Sequence, residues 1–285
     1  MSVPTPTRLH WWQWPTVLSL DAPAVVIAWQ WLFAAVGGVA IGWPESVVVG
    51  TSVWLAYAAD RWLETWLVPT ENLITPRHRF YARFRRLVGT IWLVALVGDI
   101  AVAFTSLSRR ELAAGFCLLL PTITYVVSHQ FLHRHIRLRL PKEICIALLI
   151  AAGSTLFVFA ESTDPSGLIA PVALFTALCF TNVALIGVWE SEVDRSQGQT
   201  SLAHQFPAMS SISRLLPLAV AAIAAIGGST RIGLPPVPAH CVVTSAVVLA
   251  LVDRMEPKIG WRAARVLADV ALLTPLLPLS RGLWR

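Results

Sequence analysis

Two segments of the 285-residue chain place acidic side chains about one helical turn apart, directly after apolar stretches. In the first, Tyr57, Asp60 and Glu64 are spaced i, i+3, i+7, so a helix brings them to one face. In the second, Glu190 and Asp194 are spaced i, i+4 and also share a face. Neighbouring carboxylates repel each other unless a cation lies among them. We therefore predict that four acids bind Mg²⁺, a cation that prefers oxygen ligands and bridges diphosphates. The predicted ligands are Asp60, Glu64, Glu190 and Asp194.

Each segment also has a simpler interpretation. The first could form an ion pair at a helix end, between Asp60 and Arg61 or between Glu64 and an arginine. The second could be a solvated helix end, in which Glu192 points away from the face that carries Glu190. At the level of the sequence, the metal site and the helix-end contacts both stay open.

Basic and aromatic residues near the same span ends could bind phosphate oxygens. Arg77 and Arg79 belong to the densest basic group, whose alternative role is only to set membrane topology. Tyr125 and His129 lie one turn apart at another span end, and Lys142 begins the next apolar stretch. These residues could line the same cavity as the acids. The basic group consists of Arg77, His78, Arg79, Arg83, Arg85 and Arg86.

The elements that position these side chains are membrane helices. Hydrophobic residues make up 56% of the chain and charged residues 13%, with a mean hydropathy of +0.66. A soluble domain has roughly 25% charged residues, so this chain has too few polar groups to cover a surface in water. Spans of roughly 20 apolar residues predict an all-α, multi-pass membrane protein of about nine transmembrane helices. We place the spans near 23–42, 46–66, 87–106, 111–131, 143–160, 167–189, 210–228, 237–253 and 262–280.

The charge distribution predicts the orientation of the chain. With the N-terminus inside, 17 of the 22 lysines and arginines lie on the inner side and 5 on the outer side. This asymmetry follows the positive-inside rule and explains the net charge of +6 without nucleic acid. We expect one membrane domain over residues 1–285, a cytoplasmic N-terminus, a C-terminus on the opposite side, and the bacterial inner membrane as the location.

The second acidic segment resembles an aspartate-rich motif of the UbiA superfamily of intramembrane prenyltransferases. That family has an Asp-x-Glu-x-Asp run followed by a Gly and by Ser-Leu or Thr-Leu. The corresponding residues here, with Glu in place of the first Asp, are Glu190, Glu192, Asp194, Gly198, Ser201 and Leu202. The number of spans, the charge topology and the placement of the motifs extend the resemblance over nearly the whole chain.

The first acidic segment departs further from the family, which has Asn-Asp-x-x-Asp-x-x-x-Asp. Here Ala56-Tyr57 replaces the leading Asn-Asp, which removes one metal ligand. Tyr125 and His129 are similar to a Tyr-x-x-x-Lys element, with a histidine in place of a diphosphate-binding lysine. Pro141-Lys142-Glu143, at the start of the fifth span, also resembles the family.

The resemblance implies nine helices in a ring around a central chamber, open to lipid. It implies Mg²⁺-dependent transfer of an isoprenyl group from an isoprenyl diphosphate to a lipophilic acceptor, with Asp60 and Asp194 as catalytic acids. The alternatives are an isoprenoid-binding protein that has lost transfer activity and, in third place, a transporter. The expected substrate-binding residues are Tyr57, Arg77, Arg79, Tyr125, His129, Lys142, Asn182 and Glu192.

Overall fold

A computed structural model describes residues 9–67, 75–128, 141–196, 202–206, 208–229 and 234–280, and all regular structure in these ranges is helical. After a 3₁₀ turn at Trp11–Gln13, the helices are α1 (Trp14–Val17), α2 (Asp21–Gly37), α3 (Trp43–Leu67), α4 (Pro76–Arg83), α5 (Arg85–Ser106), α6 (Arg109–Val127), α7 (Lys142–Glu161), α8 (Ser166–Trp189), α9 (Ser191–Ser196), α10 (Leu202–Gln205), α11 (Ala208–Ser229), α12 (Pro236–Ile259), α13 (Trp261–Ala271) and α14 (Leu276–Ser280).

The first eight predicted spans each coincide with one long helix, and the multi-pass membrane fold is confirmed. Six described helices are long and apolar enough to cross a membrane, namely α5, α6, α7, α8, α11 and α12. Helix α2 adds a seventh if it is counted with Trp11–Val17, which is bent from it by 78°. Helix α3 has 25 residues but carries Asp60, Arg61 and Glu64 near its end. By length and composition alone, six or seven spans are thus found among the described helices.

The ninth predicted span, 262–280, is not one helix. It divides into α13 and α14 because Pro275 lacks the N–H that would bond to the carbonyl of Ala271. The turn between the two helices is held by side chains from elsewhere. Trp29 Nε1 donates to the Leu272 carbonyl at 2.8 Å, and the Thr274 hydroxyl lies 2.7 Å from that of Ser245. Polar groups exposed by the break are thus satisfied inside the bundle.

Most sequential long helices pack as neighbours, and α13, near the end of the chain, packs against α2, near its start. Helix α3 contacts α2 and α5, while α7 contacts α2, α6 and α8. Helix α8 contacts α11 and α12, and α13 packs on α12, α8 and α2. The aromatic centre of this bundle is Trp29, which stacks on Phe175 with ring centroids 4.1 Å apart and also meets Phe33.

Helices α5 and α6 present apolar side chains outward. Val94 on α5 is 67% exposed and Leu120 on α6 is 71% exposed. A water-facing surface of this kind would be unfavourable, whereas hydrocarbon side chains face lipid without cost. These two helices therefore form part of the lipid-facing wall.

The ends of α3, α4, α8 and α13 lie together at one end of the bundle, which we call the site end. Helix α4 contacts α1, α3 and α5. It is fixed there by Tyr81, whose hydroxyl lies 3.2 Å from that of Ser19, while the Trp62 indole fixes the start of α5 by donating to the Arg85 carbonyl at 3.1 Å. Ser19 has φ of +58°, in the sharp bend between α1 and α2.

Candidate functional site

Helix α4 begins with residues that fix the direction of its first side chains. Thr75 is the N-cap and accepts a hydrogen bond from the His78 backbone, and Pro76 follows in the first turn. Arg77 and His78 are therefore held in the first turn of α4. From there both side chains reach the acids of neighbouring helices.

Glu64, near the end of α3, is buried and paired with cationic or polar partners. Its Oε2 accepts a hydrogen bond from Nε2 of His78 and lies 3.5 Å from Nη1 of Arg61. The Thr75 hydroxyl lies 2.7 Å from Nδ1 of His78, and when it donates there the neutral ring carries its hydrogen on Nε2. Burial lowers the pKa of His78, although the Glu64 carboxylate acts in the opposite direction. His78 therefore acts as a neutral donor to Glu64 at neutral pH.

Glu190 lies between α8 and α9 and is shared by two arginines. Its Oε2 is 2.6 Å from Nη1 of Arg265 on α13 and 3.4 Å from Nη2 of Arg77 on α4. Burial by itself would raise the pKa of Glu190, but the two guanidinium groups outweigh it and lower this pKa to about 2. Burial and the charges of Arg265 and Arg61 lower the pKa of Arg77 to about 10. The carboxylate and both arginines are thus charged at neutral pH.

A small cavity of about 40 Å³ adjoins this shared carboxylate. Its charged lining consists of Arg77, Arg262, Arg265 and Glu190, so guanidinium groups outnumber carboxylates by three to one. The Nε atoms of Arg77 and Arg265 are buried and have no hydrogen-bond partner among the described residues. A space of this size holds a few water molecules but not a diphosphate, so binding there requires side chains to move. Its charge suits an anion.

A second polar group lies one helical turn beyond Arg265 on α13. Asp269 Oδ1 accepts a hydrogen bond from Asn182 Nδ2 at 3.3 Å, and Asp21, the first residue of α2, lies within electrostatic reach of Asp269. The Tyr57 hydroxyl is within the electrostatic reach of Asp21, Asp269 and Arg265. We call Asp21, Asp269 and Asn182 the inner polar cluster.

The remaining predicted residues differ in their neighbours and in their exposure. Asp60 lies 3.8 Å from Arg61, as the helix-end interpretation of the first segment expected. Tyr125 is within electrostatic reach of Asp60, Tyr57 and Arg61 and so faces α3. Lys142 is half-buried at the start of α7. Arg79 and Glu192 are exposed at the same end of the bundle.

Two predictions at this site concern residues or side chains outside the description. His129 lies outside the described residues, as does the side chain of Asp194, whose backbone belongs to α9. The prediction that one continuous helix carries Glu190 and Asp194 on a common face is corrected, because α8 ends at Trp189 and α9 begins at Ser191. The Mg²⁺ assignment of Asp194 remains a prediction.

The described carboxylates do not fit Mg²⁺ as they stand. Glu64 and Glu190 each already contact two nitrogen-bearing side chains, and Asp60 has a guanidinium neighbour. Within the described part of the chain, no group of three or more His, Cys, Asp or Glu side chains could hold a metal ion. A magnesium site needs several oxygens free to face the ion. Arginine, rather than an unpaired carboxylate, is the prominent charged group of the described site.

Two side chains of this site, Arg61 and Arg265, were not among the residues predicted to bind metal or substrate, and His78 was predicted only as a member of the basic group. Arg265 and Glu190 are 75 positions apart in the sequence, and His78 and Glu64 are 14 apart. One signal was present for Arg265, which precedes the intramembrane acid Asp269 by one turn.

Comparison with known proteins identifies the fold. No family model matches the chain, and no curated protein matches it. Among solved structures, the chain is similar to the apo structure of a UbiA homolog from Aeropyrum pernix K1, with a TM-score of 0.60. The similarity covers 93% of this chain and 98% of that chain, at 15% sequence identity. The two proteins thus share the UbiA fold over nearly their full lengths, at an identity that shows the fold alone.

Proposed function

We propose that this chain, which has the fold of a UbiA homolog, is a divergent membrane prenyltransferase. It would transfer an isoprenyl group from an isoprenyl diphosphate to a lipophilic acceptor. The observation that supports the proposal most is the arginine-lined cavity at the site end, where α4, α8 and α13 meet. An anionic head bound there leaves the apolar tail among the helices of the bundle.

Arg77 and Arg265 would bind the diphosphate oxygens. Guanidinium groups suit this task because they form paired hydrogen bonds to phosphate and keep their charge when buried. Each has a buried Nε–H without a partner among the described residues, and these donors could reach a ligand oxygen. In the reaction, the carbon–oxygen bond of the allylic diphosphate breaks, and the leaving diphosphate takes the electron pair. Positive side chains stabilise that developing charge.

Glu190 would compete with the diphosphate for the same arginines. Its carboxylate already contacts Arg265 and Arg77, so binding replaces one anion by another or displaces the glutamate. Contact between the described arginines and the diphosphate does not depend on a divalent cation. Magnesium is still a prediction from the sequence, and no step of this mechanism is assigned to it.

The second candidate is an isoprenoid-binding protein without transfer activity. The replacement of the family's leading Asn-Asp by Ala56-Tyr57, together with the ion-paired state of Glu64, favours it. The two candidates differ in the fate of the carbon–oxygen bond of the diphosphate.

Purified protein in lipid vesicles can be incubated with farnesyl or geranylgeranyl diphosphate and a panel of phenolic and quinone-precursor acceptors. If the protein is a transferase, it should release diphosphate and form a prenylated product. The Arg265→Gln variant should release less diphosphate than wild-type protein. Binding of the donor without diphosphate release for any acceptor would favour the binding protein. Absence of donor binding would rule out both.

A further inference from the structure

Arg83 and Arg86 lie where α4 ends and α5 begins, and the proposed function does not use them. Both side chains are exposed, whereas Arg77 of the same basic group turns inward to Glu190. In the part of the chain that the structure describes, neither Arg83 nor Arg86 forms an ion pair. Residues 75–98 contain 5 arginines and no aspartate or glutamate. The positive charge at this point is therefore not balanced by a neighbouring carboxylate.

The beginning of α5 adds to this positive charge. Its N-cap is Phe84, no side chain caps the helix, and its first turn contains no acid. The first N–H groups of a helix carry partial positive charge, which favours acids at this position and disfavours arginines. Arg85 and Arg86 are nevertheless the first two residues of α5. We call Arg83, Arg85 and Arg86 the arginine corner, where a bound anion would offset both the arginines and the helix dipole.

Arg85 is held beside an exposed tryptophan. Its Nη2 donates to the Thr65 carbonyl at the end of α3, and its guanidinium carbon lies 4.6 Å from the centre of a Trp66 ring. Trp66 is 60% exposed, and tryptophans of this kind lie at the level of the lipid headgroups. The stacked pair therefore places the arginine corner at the membrane interface.

An apolar stripe leads from Arg86 along the lipid-facing wall. Leu93, Val97 and Phe104 follow Arg86 at i+7, i+11 and i+18, so all four side chains share one face of α5. The three apolar side chains are exposed. The rise from Arg86 to Val97 is about 16 Å, close to the depth of about 15 Å of one leaflet of the hydrocarbon core. One acyl chain on this stripe would thus have its headgroup at Arg86.

We propose that the arginine corner binds an anionic phospholipid, whose phosphate contacts Arg83 and Arg86 and whose acyl chain lies along the stripe on α5. Arginine suits this phosphate because its planar group forms paired hydrogen bonds to phosphate oxygens. In a zwitterionic lipid the choline cation offsets the phosphate charge, so the corner favours a lipid with net negative charge. Arg77 and Arg265 line the separate diphosphate cavity, and the lipid site does not depend on prenyl transfer.

Native mass spectrometry of the purified protein, titrated with phosphatidylglycerol or with phosphatidylcholine of the same acyl chains, measures the preference for anionic lipid. Wild-type protein should bind phosphatidylglycerol more tightly. Arg83→Gln and Arg86→Gln should each lower the ratio of the two affinities by about fivefold, which corresponds to about 1 kcal/mol per arginine near the membrane surface. Arg254→Gln is the matched control, because it removes an exposed arginine from the end of α12, and it should keep the ratio. Equal affinity of wild-type protein for the two lipids, or an equal loss in Arg254→Gln, would overturn the site.

Fluorescence quenching locates the bound lipid. In vesicles, the part of the tryptophan emission that disappears in Trp66→Phe belongs to Trp66. Phosphatidylglycerol with brominated acyl chains should quench this emission more strongly than brominated phosphatidylcholine does, because the anionic lipid is enriched beside Trp66. Arg86→Gln should remove the difference. Equal quenching of Trp66 by the two lipids in wild-type protein would show that the anionic lipid binds elsewhere.

Farnesyl thiodiphosphate tests whether the arginine corner is separate from the diphosphate cavity. Its affinity should be the same in Arg83→Gln and Arg86→Gln as in wild-type protein, and it should not displace the phosphatidylglycerol that quenches Trp66. Displacement of this lipid by the thiodiphosphate, together with weaker thiodiphosphate binding in Arg86→Gln, would assign the corner to the diphosphate and overturn the lipid site.

Discussion

Glu190→Gln separates an arginine-based anion site from a carboxylate-based metal site. The substitution keeps the shape of the side chain and removes the charge that Arg77 and Arg265 share. The pKa of Glu190 falls from an ordinary 4.5 to about 2, a difference that corresponds to about 3 kcal/mol of net stabilisation of the carboxylate after the cost of its burial. Breaking a buried ion pair by removing one partner costs roughly 3–5 kcal/mol, which agrees in size. Ligand-free Glu190→Gln protein should therefore be less stable than wild type by about 3 kcal/mol.

The same substitution should strengthen diphosphate binding without metal. Removing the competing carboxylate leaves the two guanidinium groups to the ligand, so farnesyl thiodiphosphate should bind Glu190→Gln at least about tenfold more tightly in EDTA. Thermal unfolding in detergent, with and without ligand, measures both effects on one sample. Glu192→Gln, which neutralises the exposed neighbouring acid, should change neither. Weaker thiodiphosphate binding in EDTA by a folded Glu190→Gln protein would refute the reasoning.

Three further predictions address the metal, the histidine and the core. If Mg²⁺ binds as the sequence predicts, Asp60→Asn and Asp194→Asn should each abolish its effect on thiodiphosphate affinity in calorimetric titrations; an unchanged effect in both would exclude these ligands. Because burial lowers the pKa of His78, the neutral ring is favoured in the fold, so its contribution to stability is present above its ordinary pKa near 6.5 and is lost as pH falls below it. Unfolding followed from pH 8 to pH 5 should show this loss in wild type and not in His78→Gln, and identical profiles would contradict the assignment. Trp29→Phe removes the indole that donates to Leu272 and should destabilise the protein by about 1–3 kcal/mol in denaturant titrations, whereas no loss would show that the carbonyl finds another donor.

The sequence predicted the helices better than the contacts between them. Apolar segment length located every described membrane helix to within a few residues, because that signal is local and strong. The break before Pro275 could have been expected from the proline, but membrane helices often contain prolines, as α6 does at Pro121 and α11 at Pro217. Proline identity alone therefore did not decide between a kink and a break.

The sequence predicted some residues of the candidate site but not the side chains that contact them. Acid spacing predicted Glu64 and Glu190 as metal ligands, and the structure places both in the candidate site, but the spacing is equally consistent with a metal or with arginines. The choice depends on Arg265, which is distant in sequence and reaches Glu190 only because α13 packs on α8. Contacts of this kind depend on tertiary packing, which a single sequence does not specify.

The most direct test of the account is the affinity of purified protein for farnesyl thiodiphosphate in EDTA and in Mg²⁺. An arginine-based site predicts binding in EDTA that is lost or strongly weakened in Arg265→Gln and kept in the control variant Arg254→Gln, which removes an exposed arginine. Binding that requires Mg²⁺, or binding in EDTA that Arg265→Gln leaves unchanged, would contradict an arginine-based site.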